Sequence, residues 1–474
     1  MKINSFISVA LCISALMAQC ISPVFAFDDP RYLMFEEQDT DPYSQYFQNV
    51  RSRRSASMIK VPVTNYPGFS DDMSYEQIAE VFEKNMRYLN KLPDSRSVYF
   101  GKRKSSVKEI KTSLSYFEEV LRGSVNDDEL TARVKDTFDL YQSVGNDNKG
   151  TVLFTGYVEA EIKASLKRTE EYQYPIYGRP ADLVRVKGRS YRYGRKLPSG
   201  EIIRYYTRKE IDTDGALEGR GLELAWGKEP AWITFLQIQG SGWLLHPDGT
   251  KTRILYNSSN GHSYKSIGRY LIGRGEIHKD ATAVEMMEYI VEQDEANQQR
   301  ILNSNPSYVF FKLSDAVEGP FGSIAVPLTP GRSIAIDYRV FPYGALSFIQ
   351  TTKPVADDNG KYHGYAPVNR FTCTQDTGGA IRTPGRVDIF WGKGTKALYE
   401  ASAMKANGTL YFLLAKKYSK FRRTTKKKTT YIQNINAQAV RVNGVEDNFS
   451  PIRVSMNIFD SIQPANHPVN IYLE

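Results

Sequence analysis

Cysteine is scarce: the 474 residues contain three, Cys12, Cys20 and Cys373. The first two fall in an N-terminal segment with the marks of an export signal. Lys2 gives the positive start, Phe6 to Met17 the short apolar run, and Val24-Phe25-Ala26 the small residues that a signal peptidase reads. Cleavage after Ala26 leaves Cys373 alone, so the exported chain has no internal disulfide and rests on its hydrophobic cores. Cys373 lies in the apolar run Arg370 to Gln375, the setting of a buried structural thiol. Long apolar stretches are missing as well. Beyond the leader none reaches the roughly 18 residues of a membrane span, which reads as a soluble or peripheral exported protein, periplasmic or associated with the outer membrane. Gln19 stands where a lipoprotein signal carries a small residue, which argues against lipidation at Cys20.

Motifs for metal, phosphate and serine chemistry are equally thin. His246, His262, His278, His363 and His467 are scattered without metal-ligand spacing, so no metal is expected. No phosphate loop or dinucleotide fingerprint occurs, so no cofactor is expected either. Gly240-Ser241-Gly242 lacks the spacing of a nucleophile elbow. Aromatic residues, in contrast, make up 12% of the chain, with 31 Tyr and 23 Phe, and point to β-rich cores and stacking surfaces. A net charge of +9 suits an anionic partner.

Residues 27–57 lack hydrophobic periodicity and read as a polar lead-in. Three helices are expected next. Ser74 with Gln77 and Ser106 with Glu109 are capping-box patterns, and a third helix spans 127–141 with acids in its first turn. From Thr151 the texture turns to short β-type runs: Ile202 to Tyr206, Trp232 to Gln239, Tyr308 to Lys312, Ser333 to Asp337, Leu346 to Thr351, Phe371 to Gln375, Val387 to Trp391 and Leu410 to Ala415. A single helical stretch, Thr282 to Leu302, interrupts them. The expected class is mainly β, with one or two barrels. Residues 416–474 form a basic extension with Lys426-Lys427-Lys428, a solvated tail or an adhesive for an anionic envelope surface.

Carboxylate chemistry remains. Asp337 closes one β-run, Asp376 closes another and precedes Gly378-Gly379, and Asp388 lies inside the apolar run Val387 to Trp391. A glycine pair after an acid allows positive φ and a close approach of ligand to backbone. An Asp with apolar flanks keeps its proton more readily, as cleavage of a glycosidic bond requires. Equally, such aspartates occur at ordinary turns and strand ends.

Around these residues the chain resembles the membrane-bound lytic murein transglycosylase A family and its three-aspartate domain. The likeness runs through Phe154-Thr155-Gly156-Tyr157, Gln237-Ile238-Gln239-Gly240-Ser241-Gly242, Asn260-Gly261-His262-Ser263-Tyr264, Asn305-Pro306-Ser307-Tyr308, Asp376-Thr377-Gly378-Gly379 and Val387-Asp388-Ile389. It implies a double-psi β-barrel, discontinuous over 58–157 and 305–415, with a smaller β-barrel domain inserted at 158–304 and a glycan groove between them. The implied reaction cleaves the β-1,4 bond between N-acetylmuramic acid and N-acetylglucosamine in peptidoglycan and leaves a 1,6-anhydro end. Asp376 is then the catalytic acid, with Asp388 and Asp337 tuning or shaping its site. Thr155, Gly156, Gln239, Ser241, Gly378 and Gly379 become substrate contacts. The partner is a peptidoglycan strand rather than nucleic acid, and the protein a monomer. Tyr157-Val158-Glu159 departs from the family's Tyr-Tyr followed by Pro. Two readings compete: a hydrolase that adds water, and a glycan-binding protein without turnover.

Overall fold

The computed structural model describes residues 56–186, 191, 193–315, 318–379 and 381–417. The leader, Cys20, Ala380 and the tail beyond Lys417 lie outside the described residues.

Helix α1 (Glu76–Leu89) buries Ile78, Val81, Phe82, Asn85 and Leu89 along one stripe. Its expected capping box does not form: Tyr75 is the N-cap, and Ser74 Oγ accepts from the Glu76 N–H rather than from Gln77. In α2 (Val107–Gly123), Ser106 caps the Glu109 N–H as expected, and Val107, Ile110, Leu114, Phe117 and Leu121 are buried. Helix α3 (Asp127–Thr137) is shorter than expected. Phe138–Ser143 continues as a strand because Phe138 and Leu140 alternate with half-exposed Asp139.

The chain then builds two closed barrels. The larger uses β1 (Val152–Tyr157), β2 (Ser333–Ala335), β3 (Leu346–Ala356), β4 (Tyr362–Asp376), β5 (Arg386–Phe390) and β6 (Lys405–Ala415), in the order β6-β3-β4-β2-β5-β1. Pairing of Lys405 to Gly408 with Thr155 to Val152 closes the ring. The pairs β2–β4 and β5–β1 are parallel and the others antiparallel, a double-psi arrangement. Its core takes in α1 and α2, whose Phe82 meets Phe117 edge-on and whose Phe117 lies tilted against Phe371 of β4.

The smaller barrel has six strands in the order Val309–Ser314, Lys251–Ser259, Ser241–Leu245, Ala160–Ser165, Glu223–Gly227, Tyr174–Tyr177, and a Gly178–Phe311 bridge joins the first to the last. Val309–Ser314 therefore belongs to this barrel, and the return joint falls after Ser314 rather than at 305. Two further expectations change. Trp232 to Gln239 is not a strand but part of a helix, Pro230–Gln239, with Pro at its first position and Gly240 at φ +83° ending it. Its mostly apolar run, with even Thr234 and Gln237 buried, hides the helical period, and the two punctuating residues carry the signal instead. The single helix expected over 282–302 is two, Ala283–Val291 and Glu295–Leu302, because the Asp294 side chain caps the second.

Only Val158 and Glu159 separate β1 from the first strand of the smaller barrel. Trp391, just past β5, packs against both cores. A Cβ on Gly156 would sit 2.4 Å from Trp391 Nε1. Gly156→Ala is accordingly expected to displace that ring and cost about 1–3 kcal/mol, measured by urea unfolding.

Candidate active site

Asp376 ends β4 and Asp388 lies in the middle of β5, with β2 between them. Ala335 of β2 pairs with Asp376 on one side and Asp388 on the other. Two strand spacings put the carboxylates' Cα atoms about 10 Å apart.

Their surroundings differ. Asp376 Oδ1 accepts from the Ser323 N–H (2.9 Å), the Ser323 hydroxyl (2.7 Å) and the Thr377 N–H (2.8 Å). Its Oδ2 accepts from the Tyr157 hydroxyl at 3.0 Å. Both oxygens are thus engaged. Burial still raises the Asp376 pKa above the usual carboxylate range, against the pull of those donors. Among the described residues Asp388 has one oxygen engaged, its Oδ1, which accepts from the Thr155 hydroxyl and faces Arg386 Nε at 3.6 Å. With 14% of its side chain exposed, it is pushed up to about 6, chiefly by burial and also by the charge of Asp376, against the pull of Arg386.

Asp337 is a different case. It is fully buried and clamped by Arg339, with Nε to Oδ1 at 2.7 Å and Nη2 to Oδ2 at 2.8 Å, and it also accepts from the Thr383 N–H. Thr155, expected at the sugar, is fully buried with its hydroxyl turned to Asp388. Gln239 accepts from the Val158 N–H at 3.2 Å and so pins the crossing between barrels. Ser241 opens a strand of the smaller barrel and is half-exposed.

The glycine pair does not act as expected. Neither Gly378 nor Gly379 has positive φ. Gly379 is exposed, with nothing within 4 Å of where a Cβ would stand, so what it contributes beside Asp376 is open space.

Sequence reasoning missed Tyr157 and Ser323. Ser323 carried no signal because it lies on a loop about 50 residues from Asp376 in sequence. At the departure Val158-Glu159, Glu159 accepts from Arg253 Nε at 3.0 Å and Nη2 at 2.7 Å, both side chains buried, while its N–H donates to Gly392 O at 2.7 Å. The joint between barrels is held by an ion pair in place of a proline.

Residues 153–312 match the MltA specific insert domain and residues 332–414 the 3D domain. The chain is 32% identical to membrane-bound lytic murein transglycosylase A of Escherichia coli K12 over 277 residues, 58% of this chain and 69% of that one. It is also 32% identical to the Vibrio cholerae protein of the same name over 271 residues, 57% and 67% of the two chains. A crystal structure of a membrane-bound lytic murein transglycosylase from Agrobacterium tumefaciens superposes with a TM-score of 0.61 at 28% identity, over 76% of this chain and 98% of that one. E. coli MltA with bound chitohexaose gives 0.60 at 28% identity, over 76% and 94%. Fold, carboxylate pair and matched domains together define a lytic transglycosylase, an enzyme of the lyase type. Within that class, the chain belongs to the membrane-bound lytic murein transglycosylase A family.

Proposed function

We propose that this protein cleaves the glycan strand of peptidoglycan in the cell envelope and that Asp388 moves the proton. The observation that carries the assignment is the contrast between the two carboxylates: Asp388 has a pKa of about 6 and one oxygen without a partner among the described residues, whereas both oxygens of Asp376 are held. The resemblance places the acid on Asp376, and the hydrogen bonding favours the exchange of roles.

Protonated Asp388 gives its proton to the O4 leaving oxygen as the bond to C1 of the muramoyl residue breaks. Positive charge develops at C1, and the nearby Asp376 carboxylate, fixed by Ser323, Thr377 and Tyr157, offsets it. The muramoyl C6 hydroxyl then bonds to C1 and its proton passes to Asp388, restoring the acid. No water enters, because the nucleophile belongs to the substrate and meets C1 at the high effective concentration of a ring closure. Asp388 serves as acid and then base, so one carboxylate suffices. Asp337 and Gln239 hold the backbone around the site, and Thr155 orients Asp388.

Digesting purified peptidoglycan and weighing the released muropeptides tests the reaction. Products one water lighter than hydrolysis products are expected, and water-added products would overturn the reading. On the same assay, kcat/KM is expected to fall as pH rises above about 6, since the reaction begins from protonated Asp388.

A further inference from the structure

Exposed aromatic surface lies beside the carboxylates and has no part in the reaction just described. Tyr338 and Tyr343 stack nearly parallel, with ring centroids 5.7 Å apart and an interplanar angle of 8°. The inner ring, Tyr343, is half-buried against the core of the larger barrel. Its hydroxyl interacts with the side chains of Ser323 and Thr377, the two residues that hold Asp376. The outer ring, Tyr338, is 43% exposed. It directly follows Asp337, whose clamp by Arg339 and Thr383 fixes the local backbone.

A rigid turn, an anchored inner ring and an exposed outer ring together make a preorganised flat surface. Two rotatable bonds per Tyr keep its ordering cost low. A large exposed aromatic ring next to a reaction centre is a place where a ligand with a matching flat apolar face excludes water. The pyranose rings of a β-1,4 glycan present such faces through their axial C–H groups.

We infer that Tyr338, backed by Tyr343, is a stacking platform for an N-acetylated sugar ring of the bound strand, at a subsite on the Asp376 side of the scissile bond. The inference rests on the glycan-cleaving function proposed above. The platform fixes how the strand lies across the carboxylates and takes no part in proton transfer.

The test uses the full exported chain carrying Asp388→Asn, in which cleavage is expected to be too slow to consume ligand during a titration, and an N-acetylglucosamine hexasaccharide titrated by calorimetry. Adding Tyr338→Ala is expected to weaken binding about 3- to 10-fold, and Tyr338→Phe, which keeps the ring, to restore it. In the otherwise unaltered enzyme, Tyr338→Ala should raise KM by a similar factor with little change in kcat. Equal hexasaccharide affinity with Ala and Tyr at 338, or a Phe variant as weak as the Ala variant, would overturn the platform. If hexasaccharide binding follows the aromatic ring while the parent enzyme yields water-added products, the platform stands and only the transglycosylase reading falls.

Discussion

Asp388→Asn is expected to lower the rate of glycan cleavage by about 10²- to 10⁴-fold, the usual range for removing a group that transfers a proton in the transition state. The same substitution is expected to make the protein more stable at pH 7. Burial raises the Asp388 pKa from 3.8 to about 6, so the folded state binds this proton more tightly than the unfolded chain does. Stability therefore declines as pH climbs from about 4 through about 6, and the ionised group costs up to about 3 kcal/mol above that window. An amide has no charge to desolvate and can still accept from the Thr155 hydroxyl. A thermal or urea midpoint that rises for Asp388→Asn at pH 7, with the gain vanishing near pH 4, checks this. Asp376→Asn gives the contrasting result. Removing its charge takes away one of the influences that raise Asp388, so the pH above which activity falls should move down. Retained turnover in Asp388→Asn, together with none in Asp376→Asn, would reverse the two roles.

The second large effect concerns stability alone. Arg332, at the entry to β2, is fully buried and forms a two-pronged ion pair with Asp71, at 2.6 Å to Oδ2 and 2.8 Å to Oδ1. The same guanidinium donates to Phe371 O and Ser74 O, and Asp71 Oδ2 also accepts from the Phe371 N–H. Asp72 repeats the arrangement one residue on, with Arg370. The segment ahead of α1 is thereby fastened to β2 and β4, the two strands that lead to the site. Asp71→Ala leaves a guanidinium charge buried without its partner and is expected to cost about 3–5 kcal/mol in denaturant unfolding. Replacing both partners by apolar residues of similar volume should recover most of that loss. An Asp71→Ala chain as stable as the parent would mean that Arg332 finds solvent or another partner at little cost.

These effects also show what could be read before the fold was known. The stripe of α2 and its Ser106 cap were legible because period and cap are local. The β character of Phe371 to Gln375 and Val387 to Trp391 was legible from β-branched and aromatic content, and with it the place of both carboxylates. The helix at Pro230 was not, because burial on every side erases the period that tells helix from strand. Nor was the ranking of the carboxylates. It depends on Ser323, Tyr157 and Thr155, which reach Asp376 and Asp388 only through pairings distant in sequence. The resemblance located the site, and only the count of donors on each oxygen could divide the work between the two acids.

Closure of both rings bears on how this protein behaves in company. An open sheet ends in a row of unpaired N–H and C=O groups that another chain can extend. Here the pairing of Lys405 to Gly408 with Thr155 to Val152 consumes the row on the larger barrel, and the Gly178–Phe311 bridge ties together the end strands of the smaller one. On the larger sheet the outermost strand is Met58–Lys60, three residues long and ending in a lysine. So brief and charged a border is a poor template for strand addition. On the two barrels, a protein that works while crowded against its own polymeric substrate thus offers its neighbours little strand edge to extend.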